Sequence, residues 1–146
     1  MRLNVQTDYA MRLLMHLSVN EAALPTIAEI AARFDISRNH LMKVAHTLAR
    51  GGFIEAVRGR GGGLRLARGP EKIGVGQVVR LMEGDFSIVE CLKIDGGECL
   101  ITPSCRLKGV FREATEAFLA TLDRYTIKDL TQRNTRLRGL LSVVAA

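Results

Sequence analysis

The sequence predicts a mainly α-helical fold carrying one small β-wing, and three observations point to it. Apolar residues recur at helical spacing along most of the chain, two short capped helices are separated by a tight turn, and a glycine-rich run joins two β-prone segments. Together they predict a winged helix-turn-helix. The 146 residues are 47% hydrophobic and 25% charged. A chain of this size forms one domain that buries roughly two-thirds of its unfolded surface without disulfide staples.

In chain order, Ala10, Leu13, Leu14 and Leu17 fall at i, i+3, i+4 and i+7, predicting an amphipathic helix over about residues 6 to 19 with Asp8 in its first turn. Thr26 and Glu29 form a capping-box pattern that starts a short helix to about Arg33. Phe34, Asp35 and Ile36 make the turn. Ser37 is the next N-cap, and Leu41, Val44, Ala45 and Leu48 give the inner stripe of a helix ending at Gly51 and Gly52. Phe53 to Val57 and Leu64 to Ala67 then read as strands joined by Arg58-Gly59-Arg60-Gly61-Gly62-Gly63, whose glycines permit the positive φ of a hairpin loop.

Pro70 closes this unit, and Val75, Val78, Val79 and Met82 mark a short helix ending near Gly84. The stretch from Asp85 to Cys105 has no sustained periodicity and reads as an irregular loop of a length that usually carries function. Leu107, Val110, Phe111, Ala114, Phe118 and Leu122 mark a long helix whose apolar stripe is large for a small monomer, so a second copy is expected to cover it. Thr126 and Asp129 suggest one more short capped helix, and Arg133, Arg136 and Arg138 fall in an expected frayed tail. The expected organisation is residues 1–84 as the winged unit, 85–105 as a loop, 106–124 as the long helix, and 125–146 as a short helix and tail.

The formal net charge of +6 is localised. Eight basic residues between Arg33 and Arg68 face only Asp35 and Glu55, whereas Glu83, Asp85, Glu90, Asp95 and Glu98 make the loop acidic. A basic face points to a polyanionic partner or to a solvated surface, and its place on the fold decides between them. No apolar run reaches the roughly 20 residues of a membrane span, and the opening segment lacks a signal-peptide core. A cytoplasmic location is expected.

On the second helix of the pair, Arg38, Asn39 and His40 occupy the first turn, and Asn39, Lys43, His46 and Arg50 run along the outer face. These residue types suit a helix entering the major groove: Arg bonds guanine bidentately, Asn does so for adenine, and Lys neutralises phosphate. Arg58 and Arg60 on the wing can reach a minor groove or a phosphate backbone. A nucleotide-cradling loop is excluded, since neither the Walker spacing nor Gly-x-Gly-x-x-Gly occurs. Ser37, Arg38, Asn39, His40, Lys43, Arg58 and Arg60 are therefore the candidate contacts to double-stranded DNA.

Cys91, Cys99 and Cys105 form a C-x7-C-x5-C array. Three cysteines cannot all pair within one chain, and a reducing compartment disfavours structural disulfides. Structural zinc prefers close C-x2-C pairs and four ligands, which are absent. Three thiolates on flexible spacers fit the edge of an iron-sulfur cluster, although three unrelated thiols would give the same pattern. Neighbouring acids disfavour a reactive thiolate and no paired base is in view, so the chain is read as a non-enzyme.

Five segments in order, Leu3–Ala10, Ile36–Val44, Val57–Leu64, Met82–Phe86 and Ile101–Leu107, make nearly the whole chain resemble the Rrf-type winged-helix transcription regulators, and among them the nitric-oxide-sensitive repressors of NsrR type. The resemblance implies a cytoplasmic homodimer with the long helix as its spine, an iron-sulfur cluster held by the 85–105 loop in each subunit, and an inverted-repeat operator. It further implies that nitric oxide nitrosylates the cluster and releases the repressor from genes of nitric-oxide detoxification. A [4Fe-4S] cluster is implied, with [2Fe-2S] as the alternative. The IscR-type relatives use a histidine shortly after the third cysteine as fourth ligand, whereas Leu107 and Lys108 stand here. In the NsrR type a first-helix carboxylate takes that place, and Asp8 occupies the matching position. The competing reading within the same fold is an IscR-like regulator of iron-sulfur, iron or redox status.

Overall fold

The first helix, α1 (Val5–Val19), is the element against which the rest of the protein is assembled. In the computed structural model, residues 2–142 are described; Met1 and residues 143–146, the end of the expected tail, lie outside the described residues. Ala10, Leu13, Leu14 and Leu17 of α1 are buried, and α2 (Ile27–Phe34) and α3 (Arg38–Arg50) add Ile30, Ala31, Leu41, Val44, Ala45 and Leu48 to the same core. The predicted stripes of α1 and α3 are their buried faces.

The helix pair is set by its caps. The Thr26 hydroxyl accepts from the Glu29 backbone N–H while the Glu29 carboxylate accepts from Thr26 N at 2.7 Å, fixing the start of α2. Asp35 ends it in the left-handed region at φ +52°, and Ile36, 6% exposed, anchors the turn in the core. Ser37 holds the N-cap position of α3 but its side chain makes no capping bond, which corrects the expected cap. Its hydroxyl stays at the surface.

Two antiparallel strands, β1 (Ile54–Val57) and β2 (Gly63–Leu66), form the wing in the register Ile54↔Leu66, Glu55↔Arg65, Ala56↔Leu64 and Val57↔Gly63. The second strand begins one residue earlier than its β-prone run because Gly63 pairs with Val57, and Ala67 N still donates to Phe53 O at 3.0 Å beyond the named strands. Gly59 and Gly61 turn the loop with φ of +99° and +75°. At Gly63 the constraint is space: a Cβ there would lie 1.9 Å from Leu24 O, where the wing runs against the α1–α2 connection and Leu64 N donates to Pro25 O.

A short 3-10 turn (Pro70–Lys72) leads to α4 (Val75–Glu83). The long helix α5 (Arg106–Leu122) is followed by α6 (Ile127–Thr131), and the chain between them closes back on α4. Val75 N donates to Tyr125 O and Ile127 N to Ile73 O, each at 2.9 Å. Arg80 grips Asp123 with two bonds of 2.6 and 2.7 Å, which hold the Asp123 carboxyl below its usual range. None of the described residues of α5 is buried, and Leu107 and Val110 are exposed. The 85–105 segment is irregular apart from two 3-10 turns at Glu90–Leu92 and Thr102–Ser104.

The expected frayed tail is instead a helix, α7 (Thr135–Leu141). Asn134 caps it by accepting from Leu137 N at 3.0 Å, Leu141 enters the core, and three hydrogen bonds from two side chains secure its end. Asn20 Nδ2 donates to Leu141 O at 2.9 Å, and Arg33 Nη2 donates to Leu140 O and Ser142 O at 2.6 and 2.9 Å. Beneath this clamp, His16 is 1% exposed, packs edge-to-face on Phe34, and among the described residues has no hydrogen-bond partner at Nδ1. Burial first, and the Arg33 charge second, push its pKa below the ordinary 6.5.

The folded protein keeps His16 neutral while the unfolded chain protonates it below about pH 6.5, so stability falls as pH drops through that value and onward. His16→Gln is expected to flatten this slope, which cannot exceed about 1.4 kcal/mol per pH unit for one proton, in denaturant unfolding between pH 7.5 and pH 5. Gly63→Ala is expected to cost about 2 kcal/mol or more in the same assay through its clash with Leu24 O. Gly61→Asn, at an open left-handed position, should cost little.

Candidate nucleic-acid interface and cysteine pocket

With Leu41, Val44, Ala45 and Leu48 turned into the core, α3 presents its other face to solvent. Ser37, Arg38, Asn39, His40, Lys43, His46 and Arg50 are all exposed, as are Arg58 and Arg60 on the wing loop. The basic window divides when its partners are traced. Arg33 is spent on the α7 carbonyls, Arg65 pairs with Glu55 at 2.6 Å, and Arg68 lies 4.6 Å from the Phe53 ring centre. Among the described residues no ion pair engages Arg38, Lys43, Arg58 or Arg60. These free cations share the helix and the wing loop, the two elements a duplex would meet together.

Met42 is also exposed on α3, between Asn39 and Lys43, and sequence reasoning passed over it. The signal was available, because Met42 is a large apolar residue that falls off the core stripe. The cleft of about 660 Å³ beside the wing is not a second anion site: Glu21, Glu55 and Glu71 offset Arg65, Arg68 and Lys128 along its walls.

Cys91, Cys99 and Cys105 come together around one cavity of about 240 Å³ where the loop meets the start of α5. Val89, Ile101, Leu107 and Phe111 give it apolar walls, and all three thiols are free. Among the described residues no group of three or more His, Cys, Asp or Glu is gathered closely enough to hold a metal ion. The cysteines share a wall without forming a closed coordination sphere. Their donor chemistry fits a group that wants sulfur: three soft thiols among mostly apolar walls, with Glu90 and Lys108 also bordering the cavity.

Asp8 lies elsewhere. Its carboxylate pairs with Arg12 at 2.6 Å in the i,i+4 arrangement and borders a groove of about 400 Å³ floored by Val75, Val79, Phe118 and Leu122. Within one chain, Asp8 and the three cysteines line separate cavities. A third cavity, of about 450 Å³, has Leu3 in common with the first and Phe111 in common with the second.

Glu83, which the sequence reading counted only among the acidic residues, borders that third cavity. Its carboxylate accepts from Asn4 N at 2.8 Å and from the Thr7 hydroxyl, tying the last residue of α4 to the first turn of α1. Beyond it, Ser87 donates from both its backbone N–H and its hydroxyl to Asp85, which lowers the Asp85 pKa. A loop change near Cys91 is thus only a few residues from the start of α1.

Comparison with known proteins places this geometry. The family profile described as "Rrf2: Iron-dependent Transcriptional regulator" matches residues 3–133. The HTH-type transcriptional regulator NsrR of Bacillus subtilis (strain 168) is 45% identical over 144 residues, covering 98% of this chain and 99% of that one. Its counterpart from Geobacillus kaustophilus is 46% identical over 142 residues, covering 97% of each. Among solved structures, oxidized Staphylococcus aureus CymR is 25% identical with a TM-score of 0.71, covering 90% of this chain and 97% of that one. T. potens IscR superposes with a TM-score of 0.68 at 24% identity, covering 89% and 85%, a likeness of fold.

Proposed function

Because the chain belongs to the Rrf2 family of transcriptional regulators, we propose that it is a homodimeric repressor that senses nitric oxide through an iron-sulfur cluster and then leaves its operator. That it is a DNA-binding transcriptional regulator and not an enzyme follows from its relatives. The observation that carries the sensing reading is the convergence of all three cysteines of the chain on one cavity at the foot of α5.

Cys91, Cys99 and Cys105 would hold the cluster, of [4Fe-4S] type or, failing that, [2Fe-2S]. When bound, it supplies iron able to take up nitric oxide at the expense of thiolate ligation. The protein does the rest. Three thiolates fix the 85–105 loop against α5, and the loop is continuous with Glu83, which holds the first turn of α1. Asp8 in that turn is the proposed fourth ligand, and since its own cysteines line a different cavity, it would serve the cluster of a second protomer. The uncovered apolar stripe of α5 is the proposed dimer surface.

The DNA-binding unit is residues 1–84, completed by α6 and α7 packed on α1. Ser37, Arg38, Asn39, His40 and Lys43 enter the major groove and Arg58 and Arg60 hold the flank, with half-sites about 34 to 36 Å apart in an inverted repeat. Release of the loop need only change the spacing of the two α3 helices to lose the second half-site.

Anaerobic nitric-oxide titration, with visible absorption and operator binding followed in the same samples, tests this reading. Loss of a brown chromophore in step with loss of binding is expected; a colourless protein that binds regardless after anaerobic reconstitution would refute it. Cys99→Ala is expected to abolish the nitric-oxide response. Lys43→Ala, which removes one phosphate contact per subunit of the dimer, should weaken binding to all sequences and reduce the salt slope by about 1.8, whereas Asn39→Ala should cost about 1–3 kcal/mol at one base position in each half-site.

A further inference from the structure

Asn39, Met42, Lys43 and His46 stand at i, i+3, i+4 and i+7, one continuous stripe on the face of α3 opposite its core residues. Met42 is 50% exposed within it. A lone apolar residue on a surface needs no explanation by itself. Here its neighbours matter: Asn39 is a hydrogen-bonding side chain, and Arg38, Lys43 and the wing's Arg58 and Arg60 are cations with no ion-pair partner among the described residues. Such a surround is wrong for the rim of an apolar protein interface and right for a polyanion.

Of the groups that a duplex offers in its major groove, the apolar one is the C5-methyl of thymine. A methionine, unbranched and freely rotating about three bonds, can follow a methyl group whose height varies with local DNA geometry. We infer that Met42 is a specificity-determining residue that packs on a thymine methyl in each half-site. The inference rests on the reading of α3 as the DNA-reading helix. Residues three apart on a helix lie about 5–6 Å apart at Cβ, and base pairs are about 3.4 Å apart, so this thymine lies within two base pairs of the position contacted by Asn39.

The experiment begins by selecting operators from a pool of random-sequence duplexes with anaerobically prepared wild-type protein. Each thymine of the selected duplex is then replaced in turn by deoxyuridine, which removes only the methyl group, and Kd is measured by fluorescence anisotropy. At one thymine per half-site the replacement should weaken wild-type binding about fourfold, the worth of one buried methyl group. Met42→Ala should be insensitive to that replacement, whereas Met42→Leu and Asn39→Ala should keep the sensitivity. Because Met42 is exposed, Met42→Ala should melt with the wild type, separating lost contact from lost fold. Equal deoxyuridine penalties in wild type and Met42→Ala at every position, or none in the wild type, overturn the role of Met42 alone. A pool that yields no enriched sequence overturns the reading of α3 and this inference with it.

Discussion

Burial of the apolar face of α1 is the constraint from which the remaining arrangement follows. Leu13 and Leu14 are fully buried, and α3, α4, α6, α7 and β2 all pack on this one helix. Hydrophobic burial has no direction of its own, so the polar groups at the two ends of α1 supply the orientation. At the front, Glu83 reaches back to Asn4 and Thr7; at the rear, Asn20 and Arg33 close on α7 over the buried His16. Any element that shifts α1 lengthwise must disturb both ends. Helix α3 is therefore positioned by a scaffold that also touches the neighbourhood of the cysteine loop.

Electrostatics sorts the basic residues into two populations that look the same in sequence. Arg33, Arg65, Arg68 and Arg80 are occupied by carbonyls, a carboxylate or an aromatic ring and act within the fold. Arg38, Lys43, Arg58 and Arg60 lack such partners among the described residues. The solvent-screened pairs contribute little to stability, but they fix direction: Glu55 with Arg65 lies across the wing strands, and Asp123 with Arg80 clamps α5 to α4. The unpaired set leaves charge available where counterion release can drive binding.

Local rules made much of this legible in the sequence. The helical stripes of α1 and α3, the capping boxes at Thr26 and Thr126, and the glycine hairpin depend on residues within a few positions of one another. What escaped depends on distance along the chain. Arg133, Arg136 and Arg138 looked like a fraying tail because the donors that hold α7, Asn20 and Arg33, lie more than 100 residues away. Ser37 has the residue type of a cap without its hydrogen bond. The three cysteines could be grouped by spacing, but the separation of Asp8 from them is a fact of tertiary geometry.

The core holds a consequence for how this architecture could have been assembled and modified. Among the described residues, no buried hydrophobic residue lies between Val79 and Ile127, although that stretch contains the whole cysteine loop and all of α5. Its two ends are held side by side by Arg80 with Asp123 and by the backbone bonds of Val75 and Ile127. The intervening chain is thus a detour whose closure is set at its base, and the entropy of closing such a loop grows only logarithmically with length. Insertions, deletions and substitutions within it can be tried with little penalty to the core, while its connection to Glu83 keeps any such change in contact with α1. An evolving lineage can therefore remodel this segment without rebuilding the core on which the helix pair and wing are assembled.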